Sequence, residues 1–300
     1  MHRQLIVRVQ RMNNGSLSRY PSFECANSAQ IDLYRALLES ASPTSPRGMP
    51  TQEILFCHFE IKNPRKRFTS LKNRGFSGKL AVGELCWHLR ASQSASELAY
   101  YAPRWMDFAD PDGKIRGSCY GYKIFKKQNS GQSQWDSTAT LLSKDAHTRR
   151  AVLSFHGQDF SKRIDKTDDV ACVSSLQFFV RNERLHAVTT MRSNDVFWGL
   201  PYDIFVMTSL QELMATTLGL KLGTYHHQCG SMHVYDDKVS RLKKIVMTPQ
   251  VEAFEMNRMN DITGIRDLLA FEEHVRSGGV SETDHGKSDF WTECKSLLIS

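Results

Sequence analysis

The chain alternates apolar and polar positions over several short stretches and carries helical spacing over others. Residues 54–61 alternate as a strand does, and residues 150–156 and 173–181 (VSSLQFFVR) read the same way. The last of these leads through Asn182-Glu183-Arg184 into LHAVTTM, a hairpin pattern with a three-residue loop. HVYDD at 233–237 and LKKIVM at 242–247 also read as strands. Helical spacing begins after Ser28, a candidate cap, with Ile31, Tyr34, Leu37 and Leu38 on one face. It recurs over 79–90 (KLAVGELCWHLR), where Glu84 sits among residues expected to be buried, and from Phe205 to Leu218, with Gly219 as the stop. Prolines 43, 46 and 50 predict an irregular loop around Arg47, and 126–138 (KKQNSGQSQWDST) a polar loop. Strands and helices intermingle without a repeat or linker. The pattern predicts one α+β domain over 28–300, preceded by an extension over 1–27 with room for one edge strand.

Charge changes this picture a little. There are 39 basic and 32 acidic residues, a formal net charge of +7. No long basic run exists, so the excess fits a few arginines gathered at a phosphate better than a nucleic-acid surface. The densest cluster, Arg65-Lys66-Arg67, reads as a solvated turn. Seven cysteines, an odd number without a CxxC pair, argue against a disulfide framework. The N-terminal apolar patch is too short for a signal sequence, and nothing approaches the ~18 apolar residues of a membrane span. A cytoplasmic protein is expected.

Candidate chemistry is sparse at first sight. Tyr225-His226-His227-Gln228-Cys229, with His233 beyond, has metal-ligand residue types. Neighbours on an extended segment point to opposite faces, however, so no metal is expected there. Glycine-rich phosphate loops are absent. The predicted hairpin brings Arg192 back beside Cys172, where a guanidinium would favour the thiolate and could grip a phosphate. Taken alone, the pair better fits a small core cysteine, the usual place of a free thiol.

The spacing of these residues resembles the thymidylate synthase and deoxycytidylate hydroxymethylase family. Cys172, Gln177-Phe178, Arg192-Ser193, Asp195-Val196-Phe197, Gly199-Leu200-Pro201 and His233-Val234-Tyr235 fall where that family places its motifs, without a gap. Arg47, Glu84, Trp105, Tyr120-Gly121 and Arg149-Arg150 also match, and the likeness spans about 30–240. It implies a thymidylate synthase-like fold, a large mixed β-sheet packed with helices, and a sheet-to-sheet homodimer. Arg47 and Arg192 of one chain and Arg149 and Arg150 of the other would hold the phosphate of a pyrimidine nucleotide monophosphate, beside Ser193. The resemblance makes Cys172 the nucleophile at C6 and Glu84 the group that orders water and moves protons. His233 and Tyr235 would bind the sugar. Trp105, Asp195 and Gly199 would line a site for 5,10-methylenetetrahydrofolate, with Arg74 near its tail. Singly, each has a plainer reading: Trp105 as core, Gly199-Leu200-Pro201 as a turn before a helix.

The departures point to a base. Synthases carry asparagine where this chain has Asp203. Asparagine matches the N3–H and O4 of uracil, whereas a carboxyl group matches the amino group and bare N3 of cytosine. Ala171-Cys172-Val173 replaces Pro-Cys-His, and Asn194 and Met191 replace common neighbours. The ending CKSLLIS differs from the one that closes over folate in synthases and shields hydride transfer; looser closure would admit water. The resemblance therefore implies 5-hydroxymethylation of dCMP, with CMP as the less favoured sugar. A 5-methylating relative, a divergent thymidylate synthase and an inactive nucleotide- or RNA-binding relative are the alternatives.

Overall fold

A computed structural model describes residues 20–128, 131–156, 169–248, 254–279 and 289–300. Its centre is a mixed sheet of β1 (Ser22–Phe23), β2 (Ser42–Thr44), β3 (Thr51–Ile61), β4 (Val152–Ser154), β5 (Val173–Arg181), β6 (Arg184–Asp195) and β7 (Lys221–Tyr235). The order is β1-β3-β7-β6-β5-β4, with β2 also on β3. The β1–β3 and β6–β7 pairs are parallel and the others antiparallel. Helices α1 (Ala26–Ser40), α2 (Gly78–Leu89), α3 (Ala95–Ala99), α4 (Tyr120–Phe125) and α5 (Gln134–Lys144) precede β4. After β6 come α6 (Leu200–Thr217), α7 (Asp236–Met247), α8 (Gly264–Arg276) and α9 (Phe290–Ile299).

The β5–β6 hairpin positions the chemistry. Its loop has two residues, not three: Arg181 pairs with Arg184, and Asn182 and Glu183 hold φ of 51° and 58°. Two left-handed central residues give the primed turn whose twist suits a hairpin. At the far end Ser174 is an extra residue, a bulge between the Val173–Met191 and Ser175–Thr190 pairs.

Helix α6 joins the parallel strands β6 and β7 and is buried on all sides. It starts five residues before the periodicity suggests, with Gly199 as N-cap and Pro201 in its first turn. A helix enclosed on every face has no polar stripe to mark its start. Its buried polar residues find partners. Gln211 donates to the carbonyls of Leu185 and Thr224 at 2.9 and 3.1 Å. Glu212 is ion-paired to Arg67.

That pair corrects the reading of Arg65-Lys66-Arg67 as a solvated turn. Arg67 is fully buried, and it also donates to Pro64 O at 3.0 Å and Ser209 Oγ at 2.9 Å. It ties the loop after β3 to the central helix. Removing one partner of a buried, hydrogen-bonded pair strands the other charge, so Arg67→Ala should cost about 3–5 kcal/mol in a urea melt. The double variant Arg67→Met, Glu212→Leu should recover most of that.

Other boundaries also differ. LKKIVM belongs to α7, where Leu242 and Ile245 are buried at i, i+3 spacing and Lys243 and Lys244 face outward. Asp236-Asp237 open this helix instead of closing a strand. The end of the polar segment 126–138 is the capped start of α5, where Ser133 Oγ accepts from the N–H of Asp136. Helix α1 begins at Ala26, and Ser28 receives the N–H of the N-cap Cys25 at 3.3 Å. The edge strand expected near the N-terminus is β1; residues 1–19 lie outside the described ones. Helix α9, which carries CKSLLIS, buries Phe290, Trp291, Cys294 and Leu298 and packs on α2 and α8.

Candidate active site

Cys172 stands one residue before β5, and its carbonyl accepts from Arg192 N at 2.9 Å. The Arg192 guanidinium lies over the same segment. Its Nε donates to Ala171 O at 3.0 Å, and its Nη2 to Val170 O at 2.9 Å and to Cys172 Sγ at 3.5 Å. The sequence pairing of cysteine and arginine thus holds, and Arg192 braces the backbone that carries the thiol. Burial pushes the Cys172 thiol up; Arg192 and Arg47 oppose this, and Asp203 and Asp169 reinforce it. Burial thus favours the thiol over the thiolate.

Arg47 sits at φ 54°, ψ 30° in the turn Pro46–Gly48 after β2, a left-handed conformation uncommon for a residue with a Cβ. Arg149 and Arg150 lie between α5 and β4. They are exposed just before β4, and Gln177 Nε2 donates to the Arg149 carbonyl at 2.9 Å.

Asp203 occupies the first turn of α6. Burial and then the Glu84 carboxylate push its carboxyl up to about 7, and the Asn194 amide opposes them with a hydrogen bond to Oδ2 at 2.7 Å. The Asp203 carboxyl acts electrostatically on both Cys172 and Tyr120, so acid, thiol and phenol share one locale. Tyr120 accepts the N–H of Val173 at 3.4 Å, beside the cysteine.

Glu84 lies on α2 with its side chain 13% exposed. One turn later, His88 is buried and takes the Gly121 N–H on Nδ1 at 3.2 Å, which leaves the proton on Nε2, 3.8 Å from Glu84 Oε1. The close approach needs glycine at 121, since a Cβ there would stand 1.9 Å from the His88 carbonyl oxygen. Sequence reasoning missed His88, Asp169 and the contact of Asn194 with Asp203. Only the polar character of His88 within the apolar run Leu85–Leu89 could have marked it.

Asp195 uses Oδ1 to accept from the N–H groups of Phe197 and Trp198 at 2.7 and 2.9 Å, which shapes the turn into Gly199. Burial nevertheless pushes its carboxyl up. His233 lies opposite Asp195 in the β6–β7 ladder, with Nδ1 3.4 Å from Ser193 Oγ and its ring edge-on to Tyr235. Trp105 is partly buried, in the 3-10 turn Pro103–Phe108, near Trp87. Arg74, the residue expected near a folate tail, is 2% exposed, bonded to Gly75 O and Phe197 O, and flanked by the rings of Phe76, Phe197 and Tyr202. Its bond to the Phe197 carbonyl ties it to the 195–199 turn. His226 and His227 point to opposite faces of β7, as the alternation required. Among the described residues no group of three or more His, Cys, Asp or Glu could hold a metal ion, and no helix is long and apolar enough to cross a membrane.

Asp203 also makes stability depend on pH. An unfolded aspartate loses its proton near pH 4, whereas the folded carboxyl keeps it to about 7. Between those values the folded state holds the extra proton, so its stability falls as pH rises, then levels off above 7. Asp203→Asn should therefore be more stable than the parent at pH 8, by roughly 4 kcal/mol, with a smaller gap at pH 5. Thermal melts at the two values check this.

A thymidylate synthase family model matches residues 29–272, most of the chain. The chain belongs to the thymidylate synthase family. Members of the thymidylate synthase family transfer a one-carbon unit to a pyrimidine nucleotide, use methylenetetrahydrofolate as co-substrate and form homodimers. A deoxyuridylate hydroxymethyltransferase of Bacillus phage SP01 is 29% identical over 216 residues, 69% of this chain and 56% of the phage protein. The chain thus covers little more than half of that relative. Thymidylate synthase of Bacillus mojavensis is 27% identical over 249 residues, 76% of this chain and 88% of the relative. Thymidylate synthase 1 of Bacillus amyloliquefaciens is 29% identical over 192 residues, 62% of this chain and 82% of the relative. A hydroxymethyltransferase and synthases are thus about equally similar, and within the thymidylate synthase family the site must decide between them. The family match also extends into α8, beyond the reach of the sequence motifs.

Proposed function

We propose that the protein hydroxymethylates C5 of a cytosine nucleotide monophosphate, dCMP in preference to CMP, with methylenetetrahydrofolate as one-carbon donor. One observation carries the choice of base: a buried carboxyl, Asp203, poised near neutrality beside Cys172. Such a group can give a proton to N3 of cytosine and accept from the 4-amino group. The phage relative's name joins hydroxymethyl transfer to a uracil nucleotide, and the Asp203 carboxyl is what favours cytosine here.

The donor set fits a folate. Asp195 offers a carboxylate for a pterin, Trp105 and the 46% exposed Trp198 offer ring faces, and Lys238 lies 5.3 Å over Trp198. When bound, methylenetetrahydrofolate supplies the one-carbon unit at the oxidation level of formaldehyde. The chain's residues prepare the base. Cys172 Sγ bonds to C6 as its proton leaves, which makes C5 nucleophilic. Asp203 shares its proton with N3 and so draws electron density from the ring. Glu84 holds water and moves protons at the base, including the one lost from C5. In a homodimer Arg149 and Arg150 reach the partner's phosphate, which Arg47 and Arg192 hold from the other side. Ser193 assists at the phosphate, and His233 and Tyr235 bind the sugar. The balance is nucleotide, methylenetetrahydrofolate and water in, hydroxymethyl nucleotide and tetrahydrofolate out, with Cys172 released from C6.

The test follows product mass and dihydrofolate absorbance with dCMP, CMP, dUMP or dUMP's ribose analogue UMP. The expected result is a hydroxymethyl mass gain on dCMP without dihydrofolate. Dihydrofolate formation would instead mean methylation, and turnover of dUMP alone would mean a uracil enzyme.

A further inference from the structure

Asn194 lies on β6 between the expected phosphate serine and folate aspartate, yet it faces inward and is 3% exposed. Its Nδ2 donates to Asp203 Oδ2 at 2.7 Å, while its Oδ1 is buried without a hydrogen-bond partner. Gly199 makes room for the pair: a Cβ there would stand 3.1 Å from Asn194 Nδ2 and 3.3 Å from Asp203 Oδ2.

A protonated carboxyl is ambivalent. With the proton on one oxygen it complements cytosine at N3 and the 4-position; with the proton on the other it complements uracil. An amide N–H can only donate, so the oxygen it engages must accept. A carbonyl-type oxygen accepts better than a carboxylic hydroxyl oxygen, so this bond favours Oδ2 without the proton and Oδ1 as the oxygen that gives or takes it. Turning the Asn194 amide over would leave N–H groups unpaired where a lone carbonyl now sits, and orphaned buried N–H groups are the rarer of the two.

We propose that Asn194 is a specificity-determining positioning residue, which fixes Asp203 with Oδ2 as acceptor and Oδ1 as the proton-bearing oxygen and so lets it pair with one base only. The inference rests on the proposed contact of Asp203 with the base. With cytosine, Oδ2 accepts from the 4-amino group and Oδ1 faces N3. Among the described residues Tyr120, Cys172, Glu84, Asp195, Tyr225 and Cys229 are the other titratable groups that bear on this carboxyl.

The test compares the parent with Asn194→Ala and Asn194→Ser. Selectivity is read as the ratio of kcat/KM on dCMP and dUMP, and the Asp203 carboxyl is titrated by infrared difference spectroscopy in the free protein. Asn194→Ala should move the ratio toward unity by ~10-fold or more and raise the Asp203 midpoint, because the carboxylate loses its donor. Asn194→Ser should move the ratio the same way, since a hydroxyl both donates and accepts, and should shift the midpoint less. A ratio unchanged in Asn194→Ser, or a ratio and midpoint both unchanged in Asn194→Ala, overturns the proposal. Preference for dUMP in the parent would sink the cytosine reading alone; a fall of that preference in the Asn194 variants would still uphold Asn194 as the selector.

Discussion

Cys172→Ala should abolish turnover, by at least ~10⁴-fold, while nucleotide affinity changes only a few-fold. In the proposed reaction the covalent bond to C6 comes from the Cys172 thiol, and alanine has nothing to replace it. The rest of the phosphate end does not depend on the sulfur. Arg192 holds its place through the carbonyls of Val170 and Ala171, and its own N–H is bound to the Cys172 carbonyl. All three contacts survive truncation of the side chain. Calorimetric binding of dCMP and single-turnover mass analysis separate the two effects. Residual turnover within ~100-fold of the parent would remove Cys172 from the chemistry.

Asp203→Asn should lower kcat on the cytosine nucleotide by ~10²-fold or more and leave KM less affected. An amide can fill the hydrogen-bonding places of a protonated carboxyl, so binding persists. It cannot pass a proton to N3, so the ring is no longer activated. The cytosine-to-uracil ratio then moves toward uracil. A large gain on uracil itself should need the second substitution Asn194→Ala, because Asn194 would otherwise hold the new amide by its oxygen. An unchanged ratio in Asp203→Asn would exclude this residue from base choice. The expected gain of stability at pH 8 in the same variant makes Asp203 a place where function opposes folding: its carboxyl is kept despite the cost of burying it.

Elements with one buried face were legible in the sequence. The alternation of β5, β6 and β3 and the stripe of α2 appear in the chain order of apolar residues. The start of α6 did not, because burial on every side erases the periodicity, and LKKIVM misled because a short run with two β-branched residues, Ile245 and Val246, fits either element. The site was legible where its residues follow one another closely along β6 and its exit, from Arg192 to Asp203. Partners supplied by distant segments were not: Asp169 holding the Gly117 and Ser118 N–H groups, or Arg67 reaching Glu212 across 145 positions. The burial of Arg74 belongs to the same class, since its partners Phe197 and Tyr202 come from a segment far along the chain.

The bulge at Ser174 acts as a chemical selector. Along the regular part of the hairpin Arg181 faces Arg184 and Leu176 faces Thr189. Carried on unbroken, that register would set Cys172 opposite Ser193 and turn the neighbouring arginine to the other face of the sheet. The extra residue advances one strand by a single step, and a guanidinium takes the place of a hydroxyl over the thiol. The thiol's charge environment is thus counted out from a tight turn roughly 30 Å away. Deleting Ser174 would change which residue meets the sulfur without altering any residue of the site.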